Sequence, residues 1–359
     1  MRGLYIHIPY CEQKCGYCDF VSYPGRENTM AEYVDAVIRE AEFYAGEQAD
    51  SVFIGGGTPS CLPDGELARL VEGITKSIEI LPGAEFSVEA NPNSLTGAKA
   101  REYFGAGVNR LSLGLQAVQD ELLASIGRLH TYADFLAALD AAQAAGFTNI
   151  SADLMYSLPA QSVEQVKESA KALTELPITH LSAYALKLER GVPMYGAIQP
   201  DEDTDRAMFY ALKETVEAAG FARYEISNFA KPGYQCRHNL KYWRVQEYIG
   251  LGVAAHSFME GERFSNDDGL SRYLAALRRG KRAEISRIKA DLPFERIMLK
   301  TRLLEGLPTE EIPGSDGMRS SLRKLERLGL CTLGENLVLT EKGLDLQDSV
   351  VLELIENLA

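Results

Sequence analysis

The chain has 359 residues, 46% apolar and 25% charged, and its 51 acidic against 37 basic side chains leave a formal net charge of −14. That excess opposes an extended contact with a nucleic-acid duplex or an anionic bilayer, so no nucleic-acid partner is expected. No apolar run reaches the ~18 residues of an integral membrane segment, and the first residues show no apolar signal core, so a cytoplasmic protein is expected.

The first strand candidate, LYIHI (4–8), runs into YCEQKCGYCDF, which sets Cys11, Cys15 and Cys18 in a C-x3-C-x2-C spacing with Gly16 between them. In a reducing compartment such clustering points to metal or redox chemistry rather than to a disulfide framework. A closed zinc site takes four ligands, usually as two cysteine pairs, and there is no second pair here. Three thiolates around a [4Fe–4S] cluster would leave one iron open to a small molecule. Zinc and unrelated thiols stay open as alternatives at this point. Cys61, Cys236 and Cys331 are scattered and read as unligated.

Further along, SVFIG (51–55), EFSVE (85–89), RLSLGL (110–115), NISADLMY (149–156) and HLSAYAL (180–186) read as strands. Helix-like stretches lie between them at 30–45, 65–80 and 132–146, the last with Phe135, Leu136, Leu139 and Ala142 on one face. Alternation of this kind predicts parallel βα units in a barrel or partial barrel. Polar or Gly-rich groups recur where such a barrel gathers its site: Gly55, Gly56, Gly57 and Thr58 after the second strand, Glu89 on the third, Gln116 and Arg128 after the fourth, and Asp153 in the fifth. Each alone reads as structural, whereas their recurrence at consecutive strand ends does not.

Residues 231–290 hold KPGYQCRHNLKYW and IGLGVAAHS and read as a linking segment of irregular structure with short strands. From about 291 the pattern is helix (293–304), helix (317–328), a short hairpin LCTL-GEN-LVLT, and helix (342–356), a winged-helix-like arrangement read as a structural or docking module rather than a DNA reader. The expected division is thus a core over 1–230, a linking segment over 231–290 and a C-terminal module over 291–359.

C-x3-C-x2-C at the end of a first strand, with Tyr17 just before the last cysteine, resembles the radical S-adenosylmethionine (SAM) superfamily. That resemblance implies an α/β fold, a partial (β/α)6 barrel. It also implies a [4Fe–4S] cluster on Cys11, Cys15 and Cys18, with SAM chelating the fourth iron and cleaved to a 5′-deoxyadenosyl radical. Carried over residue by residue, it implies a SAM pocket formed by Tyr5, Gly55, Gly56, Gly57, Thr58, Glu89, Gln116, Arg128 and Asp153. Glu89 would grip the ribose hydroxyls, and Arg128 would lie near the SAM carboxylate.

YIHIPYCEQKCGYCDF, FIGGGTPS, VEANP, GVNRLSLGLQ, DLMYSLP and KPGYQCRHNLKYW together resemble the oxygen-independent coproporphyrinogen III oxidase group, and within it the HemW heme chaperone branch. The oxidase pattern continues to a fourth cysteine, where this chain has Phe20, and the oxidase's longer N-terminal arm is not seen ahead of Cys11. HNLKYW (238–243) fits the chaperone branch, and the resemblance implies heme at His238, Tyr242 and Trp243, with His7 and His256 as alternative ligands. The implied function is binding heme, cluster and SAM and delivering heme to client hemoproteins, respiratory enzymes among them. The alternative is oxidative decarboxylation of coproporphyrinogen III. A homodimer is carried as an expectation, with no heptad to specify it.

Overall fold

The computed structural model describes residues 1–358. Six strands follow in chain order, β1 (Arg2–Ile8), β2 (Gln48–Gly56), β3 (Glu79–Ala90), β4 (Arg110–Gln116), β5 (Ile150–Tyr156) and β6 (His180–Ala185), each parallel to the next. Beyond β6 the sheet continues through β7 (Ala222–Arg223) and β8 (Asn228–Ala230). Beyond β1 it continues through β9 (Tyr248–Leu251), β10 (His256–Met259), β11 (Glu262–Asn266) and β12 (Glu284–Lys289). The spatial order of the twelve strands is β12-β11-β10-β9-β1-β2-β3-β4-β5-β6-β8-β7, an open run that does not close on itself. The expected partial barrel is therefore present. The short strands expected in 231–290 are also present, and they are edge members of the same sheet.

Between strands, amphipathic helices cover the outer face. Helix Met30–Ala41 buries Tyr33, Val34 and Val37 against it, and helix Tyr132–Ala145 buries Phe135, Leu139 and Ala142. Two of these helices begin with reciprocal capping boxes, Thr131 with Asp134 and Ser162 with Gln165, which satisfy backbone donors that a helix start leaves free. The helix expected over 65–80 is shorter, Glu66–Ile74. Ile80 already pairs with Ala49 in the sheet, so the β-branched end of that run joins β3.

The barrel interior is polar. Positions two apart on successive strands bring in Ser51, Glu85, Ser87, Arg110, Ser112, Ser151, His180 and Ser182, all buried. Helix Arg237–Trp243 plugs this interior toward the N-terminal ends of the strands. Glu85 on β3 accepts the backbone N–H groups of Arg237 and His238, each at 2.9 Å, so a carboxylate from the sheet occupies the positive end of the helix. His180 bonds Ser151 Oγ (2.8 Å) and the Tyr224 hydroxyl (2.8 Å), and that hydroxyl accepts the Cys236 N–H at 3.3 Å.

After β12 the chain builds a second apolar core around Ile297, Leu307, Met318, Leu325, Leu337, Val350 and Leu354. Helices Leu292–Lys300, Asp316–Arg327 and Gln347–Ile355 surround a three-stranded antiparallel sheet of Leu307–Pro308, Cys331–Leu333 and Asn336–Leu339. The single helix expected over 342–356 is two, Glu341–Asp345 and Gln347–Ile355, divided at Leu346.

This module is tied to the barrel by charge. Glu225, fully buried, accepts from Ser227 N–H (2.8 Å), Asn228 Nδ2 (2.5 Å) and Arg302 (2.9 Å), and the Arg302 guanidinium lies 4.3 Å from the Trp243 ring centre. Among the described residues no helix is long and apolar enough to cross a membrane.

Candidate cofactor site at the open end of the barrel

β1 delivers the cysteine loop to the C-terminal end of the sheet. The loop is held by its backbone: Gly16 N–H donates to Ile126 O (3.1 Å), Met194 N–H to Gly16 O (2.9 Å) and Tyr23 N–H to Pro9 O (2.7 Å). Cys11, Cys15 and Cys18, all free and half-buried, line one cavity of about 150 Å³ together with Thr58, Glu89, Gln116, Arg128 and Asp153. Burial raises the Cys11 and Cys18 thiols above their ordinary pKa.

A hydrogen-bonded path joins two of the thiols. Cys11 Sγ lies 3.5 Å from Thr58 Oγ1, Asn91 Nδ2 donates to that oxygen at 3.2 Å, and Arg128 donates to Asn91 Oδ1 at 2.8 Å. The same guanidinium reaches Gly114 O at 2.7 Å and lies 3.7 Å from Cys15 Sγ. Asn91 thus connects the cysteine loop to Arg128. Sequence reasoning quoted it only as part of EANP, although the polar residue after Glu89 at a strand end was the available signal.

The glycine turn after β2 is dictated by close approach. Gly56 has φ +108°, and a Cβ there would fall 2.4 Å from the His7 ring. A Cβ on Gly57 would meet Tyr10 O at 2.7 Å, while its N–H donates to Ile8 O at 2.9 Å. Gly56 N–H in turn donates to Glu89 Oε2 at 3.0 Å. Burial, reinforced by the charge of Asp153, pushes the Glu89 carboxyl up to about 7. Asp153 is also raised by burial and accepts from Ser112 Oγ at 3.3 Å. Gln116 has φ +79° where β4 shifts register against β5, a strained turn of the kind that aims a side chain into a site.

Two of the expected pocket residues stand off the cavity. A Cβ on Gly55 would lie 2.6 Å from Glu89 Oε2, so that position makes room for the carboxylate instead of lining the space. Tyr5 lines an adjoining cavity of about 350 Å³ with Phe20, Gly56 and Glu89, and its hydroxyl meets His7 Nδ1 at 2.9 Å. His7 Nε2 bonds Val21 O at 2.8 Å, which braces the cysteine loop. Phe20, 58% exposed, lines both cavities.

His238, Tyr242 and Trp243 are not part of this cavity. His238 is fully buried in the plug, with Nδ1 at 3.0 Å from Ser51 Oγ and Nε2 at 2.8 Å from the Tyr242 hydroxyl, and burial pushes its pKa down to about 3. Both ring nitrogens are engaged, so this imidazole presents no free ligand atom in the conformation described. Tyr242 and Trp243 line a separate cleft of about 540 Å³ against the C-terminal module.

The radical SAM superfamily profile matches residues 5–173. Three thiols on one loop at the C-terminal end of a parallel partial barrel, beside a glycine turn and two half-buried carboxylates, are the class features, and the chain belongs to the radical SAM superfamily. Within it the chain belongs to the HemW family. It is 36% identical over 329 residues to "Heme chaperone HemW" of Escherichia coli (strain K12), covering 88% of this chain and 86% of that protein. It is 34% identical over 369 residues to the Mycobacterium tuberculosis (strain CDC 1551 / Oshkosh) protein of the same name, covering 98% and 94%. Among solved structures it is similar to the coproporphyrinogen III oxidase HemN of Escherichia coli, with TM-score 0.87 and 22% identity over 98% of this chain and 89% of that one, a likeness of fold.

The family's [4Fe–4S] cluster and SAM fit this site. Soft thiols on Cys11, Cys15 and Cys18 are the donor type a cluster requires. Among the described residues no three His, Cys, Asp or Glu side chains are grouped for a single ion, whereas a cubane takes its thiolates at separate corners. When bound, the cluster supplies the electron for SAM cleavage. The chain's own residues supply the Arg128 cation at Cys15, the carboxylates of Glu89 and Asp153, and a wall at Phe20.

Proposed function

We propose that the protein binds heme together with a [4Fe–4S] cluster and SAM, and delivers the heme to client hemoproteins. The supporting observation is the 34% identity to a heme chaperone over 98% of the chain. The cluster would rest on Cys11, Cys15 and Cys18. SAM would rest against Gly56, Gly57, Thr58, Glu89, Gln116, Arg128 and Asp153, with Tyr5 and Gly55 shaping the neighbouring wall. Heme would be held on the Tyr242 and Trp243 side of the molecule, and His238 could join it only by breaking its two hydrogen bonds.

Phe20 supports this reading over coproporphyrinogen decarboxylation. It stands at the cavity mouth where the oxidase pattern has a further thiol, and a phenyl ring neither carries a proton nor binds iron. The test is hemin titration of the anaerobically reconstituted full chain at micromolar concentration, followed by mixing with an apo-hemoprotein such as apomyoglobin. A Soret band on the chain that moves to the acceptor is expected. Absence of hemin binding would overturn the proposal, and conversion of coproporphyrinogen to protoporphyrinogen would favour the oxidase.

A further inference from the structure

Asn91 is the first residue after β3, and its backbone is pinned on both sides. Its N–H donates to Ser60 Oγ at 3.1 Å, and its carbonyl accepts the Ser94 and Leu95 N–H groups, each at 3.1 Å. Ser60 lies in the short turn Pro59–Cys61 directly after Thr58, so the glycine turn and the end of β3 are bound together at this residue. The side-chain amide is thereby delivered to a fixed place between Thr58 and Arg128.

Arg128 is fixed as firmly from the other side. Its segment is docked on the cysteine loop through the Gly16 N–H bond to Ile126 O at 3.1 Å. Its guanidinium reaches Gly114 O at 2.7 Å, and a Cβ on Gly114 would lie 3.0 Å from the same Arg128 nitrogen, so that glycine leaves room for the contact.

The donor and acceptor types decide which way each bond points. A guanidinium only donates, so the Asn91 atom facing Arg128 at 2.8 Å is the carbonyl oxygen, and the one facing Thr58 at 3.2 Å is the NH2 group. An NH2 group also only donates, so Thr58 Oγ1 accepts there and its own hydrogen is left for Cys11 Sγ at 3.5 Å. At the other end Arg128 Nη1 donates toward Cys15 Sγ at 3.7 Å. One amide in one orientation turns a donor toward Cys11 and another toward Cys15.

The geometry points to Asn91 as a positioning residue for the electron transfer of the radical SAM chemistry. By holding Thr58 and Arg128 as donors to two cluster thiolates, it raises the potential at which a cluster on this loop is reduced. The inference rests on the cluster reading of Cys11, Cys15 and Cys18 and adds to it a residue that is not a ligand. Reduction adds negative charge, and hydrogen bonds to the sulfurs favour that charge. An aspartate here would not serve. Its carboxylate accepts on both oxygens, which draws the Thr58 hydrogen away from Cys11 and pairs the Arg128 charge to itself.

The test is a reductive titration of the reconstituted full chain without SAM, read by electron paramagnetic resonance and accompanied by iron analysis. Asn91→Asp is expected to keep about four irons per chain. It is also expected to make reduction at least tenfold less favourable, a fall of about 59 mV for one electron. Part of that fall comes from the new charge, so the same substitution is made in a Thr58→Val chain, which has no hydroxyl to turn. There the fall is expected to be less than half as large. Asn91→Leu adds no charge and releases Arg128; it is expected to lower the potential as well, and it decides the question if the Asp variant takes up no iron. An equal fall with and without the Thr58 hydroxyl would overturn the inference, as would an unchanged potential in Asn91→Leu. If the wild type takes up no iron, the cluster reading fails and the inference with it.

Discussion

His238 Nε2 and the Tyr242 hydroxyl lie 2.8 Å apart on successive turns of one seven-residue helix, so two residues of the H-N-x-x-Y-W pattern are bonded to each other inside the barrel. Their spacing of four places them on the same helical face. The other His238 nitrogen is taken by Ser51, and the helix start is taken by Glu85. The pattern therefore stoppers the barrel and, through its last two residues, faces the cleft outside it.

Glu85→Ala is expected to loosen that stopper. It removes an acceptor shared by two backbone N–H groups at 2.9 Å and leaves both unpaired beside Arg110, that of His238 fully buried. A loss of about 3 kcal/mol is expected from unpaired buried donors of this kind, read as a lower midpoint in urea unfolding. An unchanged midpoint would show that the helix does not depend on the carboxylate.

Replacing Cys11, Cys15 or Cys18 singly with Ala is expected to abolish cluster incorporation, whereas Cys61→Ala is expected to retain it. Iron analysis after anaerobic reconstitution checks this, with about four irons per chain in the wild type. Equal loss in Cys61→Ala would mean that the ligand set has been misassigned.

At Gly56 a methyl group would have to occupy the His7 ring's place, on backbone at φ +108°. Gly56→Ala is expected to cost about 3 kcal/mol and to weaken SAM binding at least tenfold, because the displaced N–H no longer meets Glu89. Gly25→Ala, also at positive φ but with open space around it, is expected to cost only about 1 kcal/mol. Thermal melts of the two variants, with SAM titration, make the comparison.

Glu89 makes stability fall with rising pH. Its folded value near 7 lies above the ordinary 4.5, so between those values the folded chain keeps a proton that the unfolded chain has released. The stabilisation is full below about pH 4.5 and is lost as the pH rises through about 7, amounting to roughly 3 kcal/mol. Glu40, buried and also raised to about 7, acts in the same direction. Glu89→Gln is expected to shrink the loss between pH 5 and 8 without removing it, and to weaken SAM binding. An identical pH profile in the variant would contradict the assignment.

Much of this was legible because it is local. The cysteine spacing, the glycine turn and the six strand–helix repeats are written in contiguous residues, and their order along the chain is their order in the sheet. What the sequence concealed depends on distant partners. Tyr248 to Leu251 form a strand because β1 pairs with them, more than two hundred residues away. His238 looked free as a ligand because Ser51 and Glu85, which enclose it, lie on β2 and β3, far from its helix in the sequence. Asn91 drew no separate reading because its importance comes from Thr58 on one side and Arg128 on the other.

Trp243 is the chain's only tryptophan, and it lies beneath the Arg302 guanidinium at the joint between the two cores. Its emission is therefore a single-site optical gauge already built into the unmodified protein. Fluorescence excited in the indole band reports on that joint alone, with no label to attach and no background to subtract from a second indole. Stopped-flow recording of this signal while an acceptor hemoprotein is added would time any change at that joint, independently of the color of the iron centres.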